Sequence, residues 1–234
     1  PLIMDNTVAT AYLVKPLSLG ADIVVNSTSK YINANSSAIS GVITDGGKFK
    51  WDTEKYPGMK DFKKFGPFAY TAKLRNGLFR NTGACLSPQN AFYNSIGMET
   101  LGLRMERVCD NAKTLAQFFA TEYSDIEVNY PGLAGSKWHN IATEQFGDKF
   151  GGIITIRTGN KKRAFGIIDA LKLPLIVSNI GDTKTLVIHP ESTLNVHSTQ
   201  EEKETAGVFD DLIRISVGIE DIDDLIDDFK QAIE

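Results

Sequence analysis

An acid at position 5 and a lysine at position 30, each just past a short apolar run, constrain this chain more than any other feature. Leu2-Ile3-Met4 precedes Asp5, and Ile23-Val24-Val25 leads to Ser27, Thr28, Ser29 and Lys30. Short apolar runs that close on polar residues are the pattern of strands covered on both faces. Between them residues 12–19 offer a short helix that stops near Gly20, giving a strand, crossover, strand unit with a right-handed preference. Ligands of open α/β sheets gather at the carboxyl edge of the strands, where Asp5 and Lys30 both fall.

A lysine amine flanked by hydroxyls and facing an acid suits a Schiff base to pyridoxal phosphate. The acid keeps the pyridine nitrogen protonated, while hydroxyls and backbone N–H groups take the phosphate. Each residue also has a plainer reading. Lys30 alone is a solvated lysine after a strand, Asp5 a helix N-cap, and Ser27 and Ser29 ordinary loop hydroxyls.

Asp5-Asn6-Thr7 and Ser27-x-Ser29-Lys30 resemble the cofactor site of the Cys/Met-metabolism family of fold-type-I pyridoxal phosphate enzymes. Further stretches resemble the O-acetylhomoserine sulfhydrylases of that family most. They are Arg80-Asn81-Thr82-Gly83-Ala84-Cys85-Leu86-Ser87-Pro88, Gly97-Met98-Glu99-Thr100-Leu101, Asn179-Ile180-Gly181-Asp182-Thr183, His189-Pro190-Glu191-Ser192-Thr193 and Arg214-Ile215-Ser216-Val217-Gly218.

The resemblance implies pyridoxal phosphate held covalently on Lys30, with Asp5, Thr7, Ser27 and Ser29 as cofactor ligands. It implies Arg214 as the grip on the substrate carboxylate, assisted by the backbone at Ser178. A planar guanidinium matches a carboxylate bidentately; the plainer reading is a solvent-facing strand arginine between Ile213 and Ile215. The implied reaction is γ-replacement on O-acetylhomoserine by sulfide or a thiol, giving homocysteine for methionine biosynthesis. The alternatives are a cystathionine γ-synthase, a cystathionine or methionine γ-lyase, and a fragment with a purely structural role. A small amino-acid substrate and a homo-oligomer, by resemblance a tetramer, complete the expectation.

Two departures stand out. Asn33-Ala34-Asn35-Ser36 replaces the Gly-His turn of many relatives, and Leu194-Asn195 stands where relatives often carry a His. Neither His189 nor His197 is given a role. The chain opens without an initiating Met, directly in an apolar strand. Set against the family it resembles about the second half of a longer protein, whose other part supplies further strands, a phosphate-binding glycine turn and an aromatic residue on the ring.

With 234 residues, 42% of them hydrophobic, the chain can bury a substantial core. A net charge of −4 without a basic block argues against nucleic acid or an anionic membrane as the main partner. Two cysteines, Cys85 and Cys109, with no His at metal-ligand spacing, give neither a disulfide framework nor a zinc site. A reducing compartment, the cytoplasm, fits. No apolar run approaches membrane-spanning length.

The expected architecture is α/β: residues 1–110 as the end of the three-layer cofactor-binding domain with a linking helix, and residues 111–234 as a small α+β domain. After Lys30, a strand over 39–44 turns at Asp45-Gly46-Gly47, and residues 51–68 read as loop or short helix. A long helix starts at Ser87-Pro88, bent or broken near Gly97 and Gly102. Met98, Leu101, Met105, Val108, Ala112, Leu115 and Phe119 mark its buried face. Strands at 126–128, 152–157, 185–188 and 212–217 alternate with helices at 161–171 and Ile222–Ile233, giving an antiparallel sheet backed by helices. The charge run 201–204 reads as a solvated loop.

Overall fold

The computed structural model describes residues 1–234. The chain divides into two compact units, Pro1–Met98 and Glu99–Glu234, so by packing the division falls earlier than the expected boundary at residue 110.

The first unit is built on a three-stranded sheet of order β1-β2-β3, with strands Ile3–Asp5 (β1), Ile23–Ser27 (β2) and Gly41–Asp45 (β3). β1 and β2 run parallel, pairing Ile3 with Ile23 and Asp5 with Val25. β3 returns antiparallel to β2. The crossover is a helical turn, Thr10–Leu13 (α1), then a 3-10 turn, Pro16–Leu19. Pro16 supplies no N–H and disfavours helix in the residue before it, so one continuous helix cannot form. Gly20, at φ 105°, ends the turn in a conformation that costs an L side chain strain.

Residues 51–56 are loop and turn, and 57–68 are helical. A 3-10 segment, Pro57–Phe68, is kinked at Gly66, and Trp51 stacks on Tyr70 with ring centres 5.7 Å apart. It continues into α2 (Ala69–Lys73), a π-helical stretch at Leu74–Phe79 and α3 (Arg80–Thr82).

The expected long helix is two: Pro88–Glu99 (α4) and Leu101–Glu122 (α5), separated at Thr100, whose φ of −108° and ψ of 5° leave the helical region. Met98 is 55% exposed, a departure from the expected buried face, because it lies before the break and the later periodicity does not extend to it.

In the second unit a five-stranded sheet of order β4-β5-β8-β7-β6 comprises Glu127–Asn129 (β4), Ile153–Arg157 (β5), Leu175–Ile176 (β6), Leu186–Ile188 (β7) and Leu212–Ser216 (β8). The sheet is mixed rather than antiparallel, since β6 runs parallel to β7. His139–Phe146 (α6) and β6 lie outside the elements read from the sequence. Lys161–Ala170 (α7) starts at Asn160, whose side chain accepts from Arg163 N. The charge run forms a short helix, Gln200–Thr205 (α8), because Thr199 and Glu202 close a capping box at its start.

The last helix, Ile222–Ile233 (α9), has the expected bounds and is capped by Asp221. Ala112, Leu115 and Phe119 of α5, Ile167 of α7 and Leu225 and Phe229 of α9 pack with Ile154, Ile156, Ile213, Ile215 and Val217 in one core. Strict alternation in β5 and β8 therefore sends Thr155, Leu212, Arg214 and Ser216 to the opposite face. No helix is long and apolar enough to cross a membrane.

Candidate active site

Parallel pairing of β1 and β2 puts their carboxyl ends side by side. Asp5 is the last residue of β1 and Ser27 the last of β2. Thr7 joins them: its hydroxyl donates to Asp5 Oδ1 at 2.5 Å and accepts from Ser27 N at 2.8 Å. The Thr7 N–H also donates to Asp5 Oδ1, at 2.9 Å. One carboxylate oxygen is thus held twice, and Oδ2 takes neither bond. Asp5 is not the N-cap of α1; Ala9 occupies that position.

Lys30 lies beyond Thr28 and Ser29 at the end of β2, half-buried in a turn in which Asn33 N donates to Thr28 O and Lys30 O, each at 3.0 Å. The two serines differ. Ser27 gives its N–H to Thr7, whereas the Ser29 hydroxyl donates to Ser40 O at 3.1 Å and accepts from Ser40 N at 2.8 Å. Ser29 therefore closes the turn as well as standing next to the lysine.

The donor set fits pyridoxal phosphate. A carboxylate anchored through one oxygen can take the ring nitrogen, an amine lies beyond the neighbouring strand end, and hydroxyls flank the amine.

In the second unit Arg214 sits at the centre of β8, paired with Thr155 and Ile188. Its guanidinium donates to Asn179 O at 3.1 Å. Two residues on along the same face, Ser216 Oγ accepts from Gly181 N at 3.0 Å. Alternate residues of one strand thus fix the loop that starts at Ser178, which is itself exposed. Arg214 and Ser178 accordingly belong to one local arrangement.

Gly218 has a steric reason for its place in the Arg-x-Ser-x-Gly run. A Cβ there would lie 2.5 Å from Thr183 O and press on the Glu220 side chain. Glu220 takes the Thr185 hydroxyl at 2.9 Å, and Thr185 Oγ1 accepts Gly218 N at 3.0 Å. His189 is buried, with Nε2 2.8 Å from Asp210 O and Nδ1 2.9 Å from Ser192 Oγ, so both ring nitrogens are engaged in local structure.

Sequence reasoning missed a polar cluster in and against the turn that carries Lys30: buried Asn33, Asn94 and Thr28 bond with one another and with half-buried Ser40. The one visible signal was the departure from the Gly-His turn at 33–36. It also missed Ser216, which was readable only as part of a motif.

The fold, with this donor set at a carboxyl strand edge, places the chain in the class of pyridoxal phosphate-dependent enzymes of fold type I. The family model of Cys/Met metabolism PLP-dependent enzymes matches residues 1–234, and the chain belongs to that family. It is 42% identical to an O-acetyl-L-homoserine sulfhydrylase of Corynebacterium glutamicum, over 98% of this chain and 56% of that protein. An L-methionine gamma-lyase of Fusobacterium nucleatum is 39% identical, over 100% of this chain and 54% of that protein. Among solved structures, a Campylobacter jejuni protein assigned as an O-acetylhomoserine (thiol)-lyase and carrying a pyridoxyl-lysine phosphate superposes with a TM-score of 0.91 at 35% identity, over 99% of this chain and 58% of that one. The chain thus spans a little over half the length of these relatives.

Proposed function

We propose that this chain carries the lysine-bearing part of a γ-replacement enzyme, one that joins sulfide or a thiol to O-acetylhomoserine and yields homocysteine. The observation that carries the reading is the Thr7 clamp, which locks Asp5 beside the end of the strand leading to Lys30. The names of the sulfhydrylase relatives support the substrate class.

Pyridoxal phosphate, when bound, supplies an electron sink for negative charge at the substrate α-carbon. Asp5 would hold a proton on the ring nitrogen, with its carboxylate kept in place by Thr7. The Lys30 amine takes the proton from the substrate α-carbon and returns one later. Ser27 would offer its hydroxyl to the phosphate, and Ser29 would do so on exchanging its bond to Ser40 O for one to the phosphate. Arg214 receives the substrate α-carboxylate as a bidentate partner, with the backbone at Ser178 beside it.

A second reading, γ-elimination, is favoured by the similarity to the methionine gamma-lyase. A homotetramer and a cytoplasmic location belong to the same proposal; the free thiols of Cys85 and Cys109 suit that compartment.

The test is borohydride reduction of the protein as isolated, followed by peptide mass spectrometry. A pyridoxyl group on the Lys30 peptide is the expected result, and an unmodified Lys30 in cofactor-supplemented protein would withdraw the enzyme reading. Product analysis then decides the reaction: homocysteine from O-acetylhomoserine and sulfide supports replacement, while α-ketobutyrate from methionine without that product supports elimination.

A further inference from the structure

Lys30 stands on a turn with an unusual foundation. Asn94, 8% exposed on α4, donates through Nδ2 to Ser40 Oγ at 2.8 Å and to Thr28 Oγ1 at 3.3 Å. Its Oδ1 accepts from Asn33 Nδ2 at 3.2 Å. Asn33 is itself buried, and its own Oδ1 accepts Ser37 N at 2.7 Å. Thr28 closes the ring by donating to Ser40 Oγ at 2.6 Å. One side chain on a neighbouring helix therefore grips residues on both sides of the lysine.

A second observation gives the same picture. Gly97, one turn further along α4, faces the turn so closely that a Cβ there would lie 2.8 Å from Asn33 O and nearer still to Ile32 O. The helix is pressed against the backbone that follows Lys30, and a glycine is required for that approach. Ala34 and Ser36, at φ 82° and 59°, are held in the left-handed region within the same turn.

We propose that Asn94 is a positioning residue for Lys30: acting through Thr28 and Asn33, it sets the shape of the turn that carries the amine. A buried amide is costly unless its polar atoms are paired, and both Oδ1 and Nδ2 of Asn94 are, which favours one geometry of the cluster. This rests on the reading of Lys30 as the cofactor lysine only for its catalytic consequence; the effect on the turn stands apart from it.

The experiment compares the protein as isolated with Asn94→Leu, of similar volume and without hydrogen bonds. In the cofactor-free protein, amide hydrogen exchange over residues 28–37 is expected to rise about tenfold, with the β2–β3 ladder at Val24 and Thr44 unchanged. Pyridoxal phosphate is expected to bind about tenfold more weakly, and the pH midpoint of the absorbance of the lysine-bound cofactor to move.

A uniform rise in exchange with unchanged affinity and midpoint would make Asn94 a general stabiliser and overturn the proposal, as would no change at all. Should Asn94→Leu fail to fold, Ser40→Ala removes only the hydroxyl between Thr28 and Asn94 and is held to the same outcomes. An absent pyridoxyl group on Lys30 in the unsubstituted protein would count against the proposed function, while the exchange data still decide the role of Asn94 in the turn.

Discussion

The Thr7 hydroxyl lies 2.5 Å from Asp5 Oδ1 and 2.8 Å from Ser27 N, so a single side chain ties the acid of one strand to the end of the next. Thr7→Val keeps the shape and removes both bonds. A hydrogen bond to a charged group contributes about 1.5–3 kcal/mol, so cofactor affinity should fall roughly 10- to 100-fold. Thr7→Ser should restore most of it. A spectral titration with pyridoxal phosphate checks both; equal affinity in all three proteins would remove Thr7 from the site.

Arg214 presents its guanidinium on the face of β8 opposite the core and already spends one donor on Asn179 O. Lysine keeps the charge and loses the fork. Arg214→Lys should therefore raise KM for the amino-acid substrate by roughly 10- to 100-fold. Cofactor affinity should hold, since Arg214 is assigned to the substrate. Steady-state kinetics alongside the cofactor titration separate the two effects.

Much of this was readable from local pattern. The placement of Asp5 and Lys30 past neighbouring strand ends follows from two apolar runs and a crossover of fitting length, whereas the roles given to them rest on the resemblance; α9 follows from its helical spacing alone. Elements set by long-range pairing were not readable. β6 is a strand of two residues that exists because Leu175 and Ile176 lie beside Leu186 and Val187. The direction of β6 follows from the path of the intervening chain rather than from side-chain pattern, so a mixed sheet read as an antiparallel one. Asn94 meets Thr28 and Asn33 only after folding, and nothing in residues 88–99 distinguishes it from a surface asparagine. The capping box of α8 was legible in Thr199 and Glu202, but its four charges outweighed it.

Ala34 occupies a left-handed conformation, φ 82°, that costs a residue with a Cβ about 1–2 kcal/mol. Part of that is offset by the greater freedom of glycine in the unfolded chain. Ala34→Gly should stabilise the protein by about 0.5–1 kcal/mol, read as a rise in denaturation midpoint. A loss of stability would mean that the Ala34 methyl makes contacts worth more than the strain.

The two thiols should behave differently. Cys109 is buried, and burial pushes its pKa up to about 11, outweighing the pull of the Gly151 backbone and Lys149. At pH 8 its thiolate is on the order of a thousandth of the total. A disulfide reagent should label exposed Cys85 in the native protein and reach Cys109 only on unfolding. Equal labelling rates would show that the second unit opens readily.

Glu191 binds Lys203 at 2.5 Å and Lys161 at 2.9 Å, joining α7 and α8 at the turn after His189. Hydrogen bonds from both ammonium groups hold its carboxyl well below the ordinary 4.5, at about 2. Because the folded pKa is the lower one, the unfolded chain takes up a proton first as the pH drops. The stabilisation from these pairs is thus fully present above about 4.5 and is lost as the pH falls towards 2. Glu191→Gln lacks the charge at every pH. The unsubstituted protein should melt at a higher temperature than this variant at pH 7, and the gap should close progressively between pH 4.5 and pH 2. A gap independent of pH would assign the effect to packing of the side chain rather than to its charge.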